Sequence, residues 1–195
     1  MRRTILGIIA GFLAVAAVGS SPDKFGHHSY AEAPRSDLAD AGHYRDTGRV
    51  VELRAPAAQS FKKMAAAARA EGVGIVPISG FRSVAYQKNL FDRAVKRYGS
   101  EQKAARWVAP PGYSEHATGW ALDLGDESQR TTDIEQRFKS TPAARWLSDN
   151  ARRFGFELSF PPRNSQGVNH EPWHWRFVGT DEARALFHPN PPKKL

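Results

Sequence analysis

The chain has 195 residues, 41% of them hydrophobic and 25% charged, with a formal charge of +8 and no cysteine. That length holds one domain with an ordinary core and not two comfortable ones, and the missing cysteine excludes a disulfide framework and a lipid-bearing thiol. The basic balance concentrates anionic partners, and without a nucleic-acid motif, acidic wall polymers or anionic lipid fit better than DNA or RNA.

Met1-Arg2-Arg3, the uncharged run from Thr4 to Val18 and the small residues Gly19, Ser20 and Ser21 read as a secretory signal over residues 1–20. The apolar run is shorter than the ~20 residues of a membrane-spanning helix. Export to the periplasm or the extracellular cell wall is expected, with cleavage near Gly19. The alternative is an uncleaved anchor that associates the protein weakly with the membrane. Residues 21–48 mix Pro, Gly, Ser, Asp and His without sustained periodicity and predict a linker, which places the folded domain at residues 49–190.

Pro56 stands where a helix can begin, and Phe61, Met64, Ala65 and Ala68 follow at helical spacing before Gly72. Ile75 to Ser79 predicts a short strand, whose Pro77 points to an edge or an irregularity. Ser83 is placed to cap a helix with Tyr86, Leu90, Phe91, Ala94, Val95 and Tyr98 on its apolar face, closed by Gly99. A short helix is expected from Glu101 to Val108. Trp120 to Leu124 alternates as a strand, with Ala121 and Asp123 on its less bulky face. Pro142 opens another helix, stopped at Gly155, and strands at Phe156–Phe160 and Trp173–Val178 finish the core. Because the last strands are joined by loops and not by crossover helices, the fold class is α+β, a small antiparallel sheet with helices packed on it. A monomer is expected.

Two stretches carry chemistry. Ser114 to Asp123 holds His116 and Asp123, and Glu171-Pro172-Trp173-His174 adds a second imidazole and a second carboxylate. An open catalytic zinc site takes three nitrogen or oxygen ligands, leaves a position to water, and needs a carboxylate to take that water's proton. Gly119 allows the tight path that brings His116 back over Asp123. Pro172 disfavours helix at Glu171, so this segment is extended, and positions three apart on a strand face opposite ways. Glu171 must therefore come from the bend before the strand that carries His174. This suits His174 as ligand and Glu171 as base, although spacing alone also allows Glu171 as ligand with Asp123 as base.

Ser-x-His-x-x-Gly-x-Ala-x-Asp at Ser114 to Asp123, Glu-Pro-Trp-His-Trp at Glu171 to Trp175 and Ser-Gly-Phe-Arg-Ser at Ser79 to Ser83 resemble the VanY-like D-alanyl-D-alanine carboxypeptidases, zinc peptidases that share a fold with the hedgehog signalling domain. The resemblance runs from about Arg54 to Val178. It implies His116, Asp123 and His174 as ligands of Zn2+, Glu171 as general base, Arg82 as the contact to a terminal carboxylate or developing oxyanion, and Gln87 and Ser114 as polar positions that hold the terminal residue. Where many members carry a tyrosine this chain has Phe160, so no hydroxyl contact is expected there. Outside these motifs His27, His28, His43 and His188 are expected to be solvated, and Trp173 to line the cleft.

The expected activity is removal of a C-terminal D-amino acid, D-Ala, from peptidoglycan stem peptides. The rivals are an endopeptidase using the same site and a non-catalytic wall-binding module with a structural zinc.

Overall fold

A computed structural model describes residues 23–189. The expected signal segment, residues 1–20, lies outside them. Among the described residues no helix is long and apolar enough to cross a membrane.

The chain first forms a hairpin-like pair, β1 (Leu38–His43) against β2 (Val50–Arg54), and runs directly into α1 (Ala55–Ala70). Pro56 occupies the first turn of α1, where its missing N–H costs no helical bond. Phe61, Met64 and Ala68 face the core, each large side chain contributing about 1.5–3 kcal/mol on burial. Then follow β3 (Ile75–Ser79), α2 (Val84–Tyr98), α3 (Glu101–Ala104), β4 (Ala121–Asp126), α4 (Pro142–Asn150), β5 (Phe156–Leu158), β6 (His174–Phe177) and α5 (Asp181–Phe187). The second sheet has the order β3-β4-β6-β5, with every pair antiparallel. Pro77 sits on the edge strand β3, where the register also slips between Pro77 and Ser79. On an edge strand a residue without an N–H is tolerated. The α+β class with small antiparallel sheets holds.

The helix caps follow the sequence closely. Ser83 accepts from the Tyr86 N–H at the start of α2, and Gly99 ends that helix in the left-handed region. Trp120, Leu122 and Leu124 are buried in the main core with Phe156, Phe177 and Leu147. A smaller cluster of Phe91, Ala94, Ala104 and Ala105 joins α2 to α3.

Three expectations need correction. Residues 21–48 are not a linker throughout: β1 lies inside them and pairs with β2 along its length. Its sequence, Leu-Ala-Asp-Ala-Gly-His, has no β-branched residue and a bulge between Asp40 and Gly42, so no strand period shows. Tyr86 is not on the apolar face of α2 but 51% exposed, one step round the helix from buried Gln87. The helix from Glu101 stops at Ala104 and not at Val108.

Candidate metal centre and substrate cleft

β4 and β6 place two of the chemical groups by register alone. Asp123 and His174 are cross-strand partners, so their side chains rise on one face of the sheet as neighbours. His174 Nδ1 lies 3.1 Å from Asp123 Oδ1. His116 arrives from the 3-10 turn Glu115–Thr118, which closes on Gly119 with φ +71. A Cβ at Gly119 would stand 3.0 Å from the Leu38 side chain, so both its conformation and its space ask for glycine. That turn is stitched by the Thr118 hydroxyl, which donates to the Glu115 carbonyl and accepts from the Trp120 N–H. It is tied to the end of β3 by the Arg82 N–H, which donates to the His116 carbonyl.

Two carbonyl and carboxylate contacts decide which ring nitrogen each imidazole presents. His116 Nδ1 donates to the Gly80 carbonyl at 2.7 Å, leaving its buried Nε2 without a partner and 3.3 Å from Asp123 Oδ2. His174 is turned the other way: Nε2 is held by Glu115 Oε2 at 3.0 Å, and Nδ1 faces Asp123. One ligand atom from each of His116, Asp123 and His174 lies within 4.8 Å of the other two, all three residues being buried. An orphaned imidazole nitrogen, a second imidazole with its far nitrogen fixed by a carboxylate, and an ionised aspartate fit a divalent metal, and two nitrogens with one oxygen suit zinc.

The electrostatics agree with that fit. Burial pulls the His116 imidazole down to about 4, with the Arg82 charge adding to it, so this ring is neutral and its lone pair free. Burial alone would raise Asp123, but the neighbouring imidazoles and Arg82 hold its carboxyl well below the usual range. His174 is pulled down by burial and pushed up more by its hydrogen bonds to Asp123 and Glu115, to about 10. In the metal-free protein this ring holds a proton that a metal must displace.

Glu171 sits in the turn just before β6, its carbonyl accepting from the His174 N–H. Its carboxylate is 3.7 Å from His174 Nδ1, beside the converging triad. Burial, reinforced by the Asp123 charge and opposed by His174 and Arg82, raises its carboxyl to about 8.

These groups open into a cleft of about 240 Å³ that also contains Arg82, Gln87, Ser114, Phe160 and Trp173. All the residues expected at the site therefore meet in one place. Arg82 Nε and Gln87 Oε1 are buried there without partners, although the Gln87 amide N–H donates to the Ala109 carbonyl. Phe160 packs its ring 4.9 Å from that of His174, a contact needing no hydroxyl.

Sequence reasoning missed two participants. His27, expected to be solvated, is 3% exposed, lines the cleft and donates from Nε2 to the Ala105 carbonyl. The turn that presents it, Lys24–His27, has Gly26 at φ +87 with the Gln166 carbonyl where a Cβ would be. Glu115, inside the motif but given no role, is the carboxylate that fixes His174. Its own signal was slight, an acid adjacent in sequence to a ligand. Burial would raise Glu115, but His174 and Arg176 together bring it down to about 2.

A buried triad of two imidazoles and a carboxylate, with a further carboxylate free beside it in a cleft, on this α+β frame, defines a metallopeptidase-type centre. The chain belongs to the VanY family, described as D-alanyl-D-alanine carboxypeptidase, which matches residues 50–180. It is 39% identical over 132 residues to a D-alanyl-D-alanine carboxypeptidase of Enterococcus faecalis (strain ATCC 700802 / V583), covering 63% of this chain and 47% of that protein. Among solved structures it is similar to the LdcB LD-carboxypeptidase, with TM-score 0.68 and 35% identity over 80% of this chain and 73% of that one. It also resembles a variant of the vancomycin-resistance D,D-pentapeptidase VanY in complex with Zn(II), with TM-score 0.60 and 30% identity over 80% of this chain and 88% of that one. The chain spans about half the length of the curated relatives it matches.

Proposed function

We propose that this protein is a zinc carboxypeptidase that removes a C-terminal D-amino acid, D-Ala, from peptidoglycan stem peptides. The observation that carries the reading is the convergence of His116, Asp123 and His174 within 4.8 Å, with Glu171 beside them in a cleft that also holds Arg82. His116 Nε2, the Asp123 carboxylate and His174 Nδ1 would hold the ion. When bound, zinc supplies an acidified water and a Lewis acid for the scissile carbonyl.

The chain's own residues do the rest. Glu171, whose carboxylate stands beside the triad 3.7 Å from His174 Nδ1, accepts a proton from the attacking water and returns it to the departing amine. Arg82 offers a buried, unpartnered Nε–H, and a guanidinium grips a terminal carboxylate through paired charge-assisted bonds. An anchor for a free chain end favours exopeptidase action. Gln87 and Ser114 line the same space and position the terminal residue. Peptidoglycan recognition by LdcB and the likeness to the D,D-pentapeptidase VanY support stem peptides as the substrate class. Export through residues 1–20, either cleaved or retained as an anchor, belongs to the same proposal.

Incubation of the zinc-loaded protein with defined tetrapeptide and pentapeptide muropeptides, followed by mass analysis, tests it. Loss of one terminal residue is the expected result. Internal cleavage would make the protein an endopeptidase, and unchanged muropeptides would leave a non-catalytic wall-binding module.

A further inference from the structure

Beyond the metal triad and Glu171, a continuous line of charged contacts leads away from His174 to the C-terminal helix. Glu115 Oε2 accepts from His174 Nε2, and Glu115 Oε1 lies 2.8 Å from a terminal guanidinium nitrogen of Arg176. Arg176 Nε is in turn 2.7 Å from Glu157 Oε1, which also accepts from His188 Nε2 at 2.8 Å. Strand geometry explains the alignment. Arg176 is two residues after His174 on β6 and so shares its face, and Glu157 is its register partner on β5.

The far side of Arg176 is closed by residues outside the family-matched region. Its guanidinium lies over the Phe187 ring of α5 at 4.9 Å, and Phe187 meets the Tyr30 ring at 5.7 Å. Segments preceding residue 50 and following residue 180 thus cover one arginine.

We propose that Arg176 is a positioning residue for the metal ligand His174, acting through Glu115 and held in place by Phe187. The inference rests on the metal reading given above. Glu115 has two oxygens, with the Ser159 hydroxyl also beside the carboxylate; with Arg176 in place, one oxygen is committed and the other is aimed at His174 Nε2. That fixes the proton on Nε2 and turns Nδ1 towards Asp123. Without Arg176, Glu115 and Glu157 remain as two inward carboxylates with no cation between them. Glu115 is then free to reorient, and His174 loses the contact that sets its direction. A carboxylate–histidine pair behind a metal governs affinity as well as geometry.

Zinc affinity by chelator competition, and the absorption spectrum of the Co(II)-substituted protein, give readouts that a remote structural ion pair would not move. Relative to wild type, Arg176→Met is expected to weaken zinc binding by about 10–100-fold and to alter the Co(II) bands. Arg176→Lys, which keeps the charge but loses the fork, should recover part of that loss. Phe187→Ala should produce a smaller weakening in the same direction, and Arg184→Gln, on the exposed side of α5, none. If Arg176→Met does not fold, Arg176→Lys and Phe187→Ala carry the test by the same two measurements. Folded variants with wild-type zinc affinity and an unchanged Co(II) spectrum would overturn the role of Arg176. A wild type that takes up no zinc would overturn the metal reading first, and this inference with it.

Discussion

The two halves of the cleft are built on opposite terms. On the metal side, the nitrogens pointing away from the triad are already engaged, His116 Nδ1 by Gly80 and His174 Nε2 by Glu115. On the substrate side, buried polar atoms of Arg82 and Gln87 stand without partners. A buried polar atom without a partner costs about 1–3 kcal/mol, so the protein holds the substrate half at a cost that a ligand relieves. The metal half has its outward nitrogens fixed before anything binds and leaves only the inward atoms, His116 Nε2 among them, for an ion, whereas the substrate half is completed by what enters.

The sharpest way to break this contrast is Glu171→Gln. It leaves the triad and its partners intact, so zinc content should remain at one ion per chain while turnover falls by about 10²–10⁴-fold. Metal analysis alongside steady-state rates checks it, and near-normal turnover in a zinc-replete variant would remove Glu171 as proton carrier. Arg82→Ala strikes mainly the substrate half, although the lost guanidinium also stands 3.9 Å from Asp123 Oδ2. We expect a loss in kcat/KM of about 10–100-fold on peptides with a free C-terminus, with little loss of zinc. Equal losses on C-terminally amidated peptides would discard the anchoring role.

The metal half can be probed by pH. In the metal-free protein Glu171 is raised to about 8 and His174 to about 10. A raised pKa in the folded state gives stability that is complete below the unfolded value and is lost as pH rises towards the folded one. His116, held down at about 4, contributes in the opposite sense and offsets Glu171 up to the imidazole's unfolded value of about 6.5, so the metal-free protein should lose stability above about pH 6.5, where the contributions of Glu171 and His174 are both being lost. Zinc competes with the proton on His174, so its stabilising effect must grow over the same range. Thermal melts with and without zinc at pH 6, 7 and 8 should show a widening gap, and a constant gap would mean that no proton is displaced. The smallest effect tests the frame: Ser83→Ala removes the cap of the helix that carries Gln87 and should cost about 1 kcal/mol in denaturant melts, with zinc affinity unchanged.

Much of this was legible in the chain. The caps at Ser83 and Gly99, the helix start at Pro56 and the alternation from Trp120 to Leu124 are local signals, each set by a residue's own backbone preference or by the period of its neighbours. The placement of Glu171 in a bend and His174 in a strand also followed from local rules, since Pro172 forbids the helix that would align them otherwise. Two parts of the frame were not legible. β1 has no strand-like composition and exists because β2 offers it a backbone to pair with. His27 is buried only because a turn around Gly26 fits against the Gln166 carbonyl, far along the chain.

The tertiary structure alone decided which ring nitrogen each imidazole turns towards the triad. Nothing in the order of residues says that His116 donates a hydrogen bond from Nδ1 to the Gly80 carbonyl while His174 donates one from Nε2 to Glu115. The sequence by itself determined which groups were available for chemistry and on which kind of element each would sit, because those depend on side-chain identity and on neighbours a few positions away. Which atom of each group faces the others is a matter of non-local hydrogen bonds, and these form only when strands and turns distant in the chain are packed together.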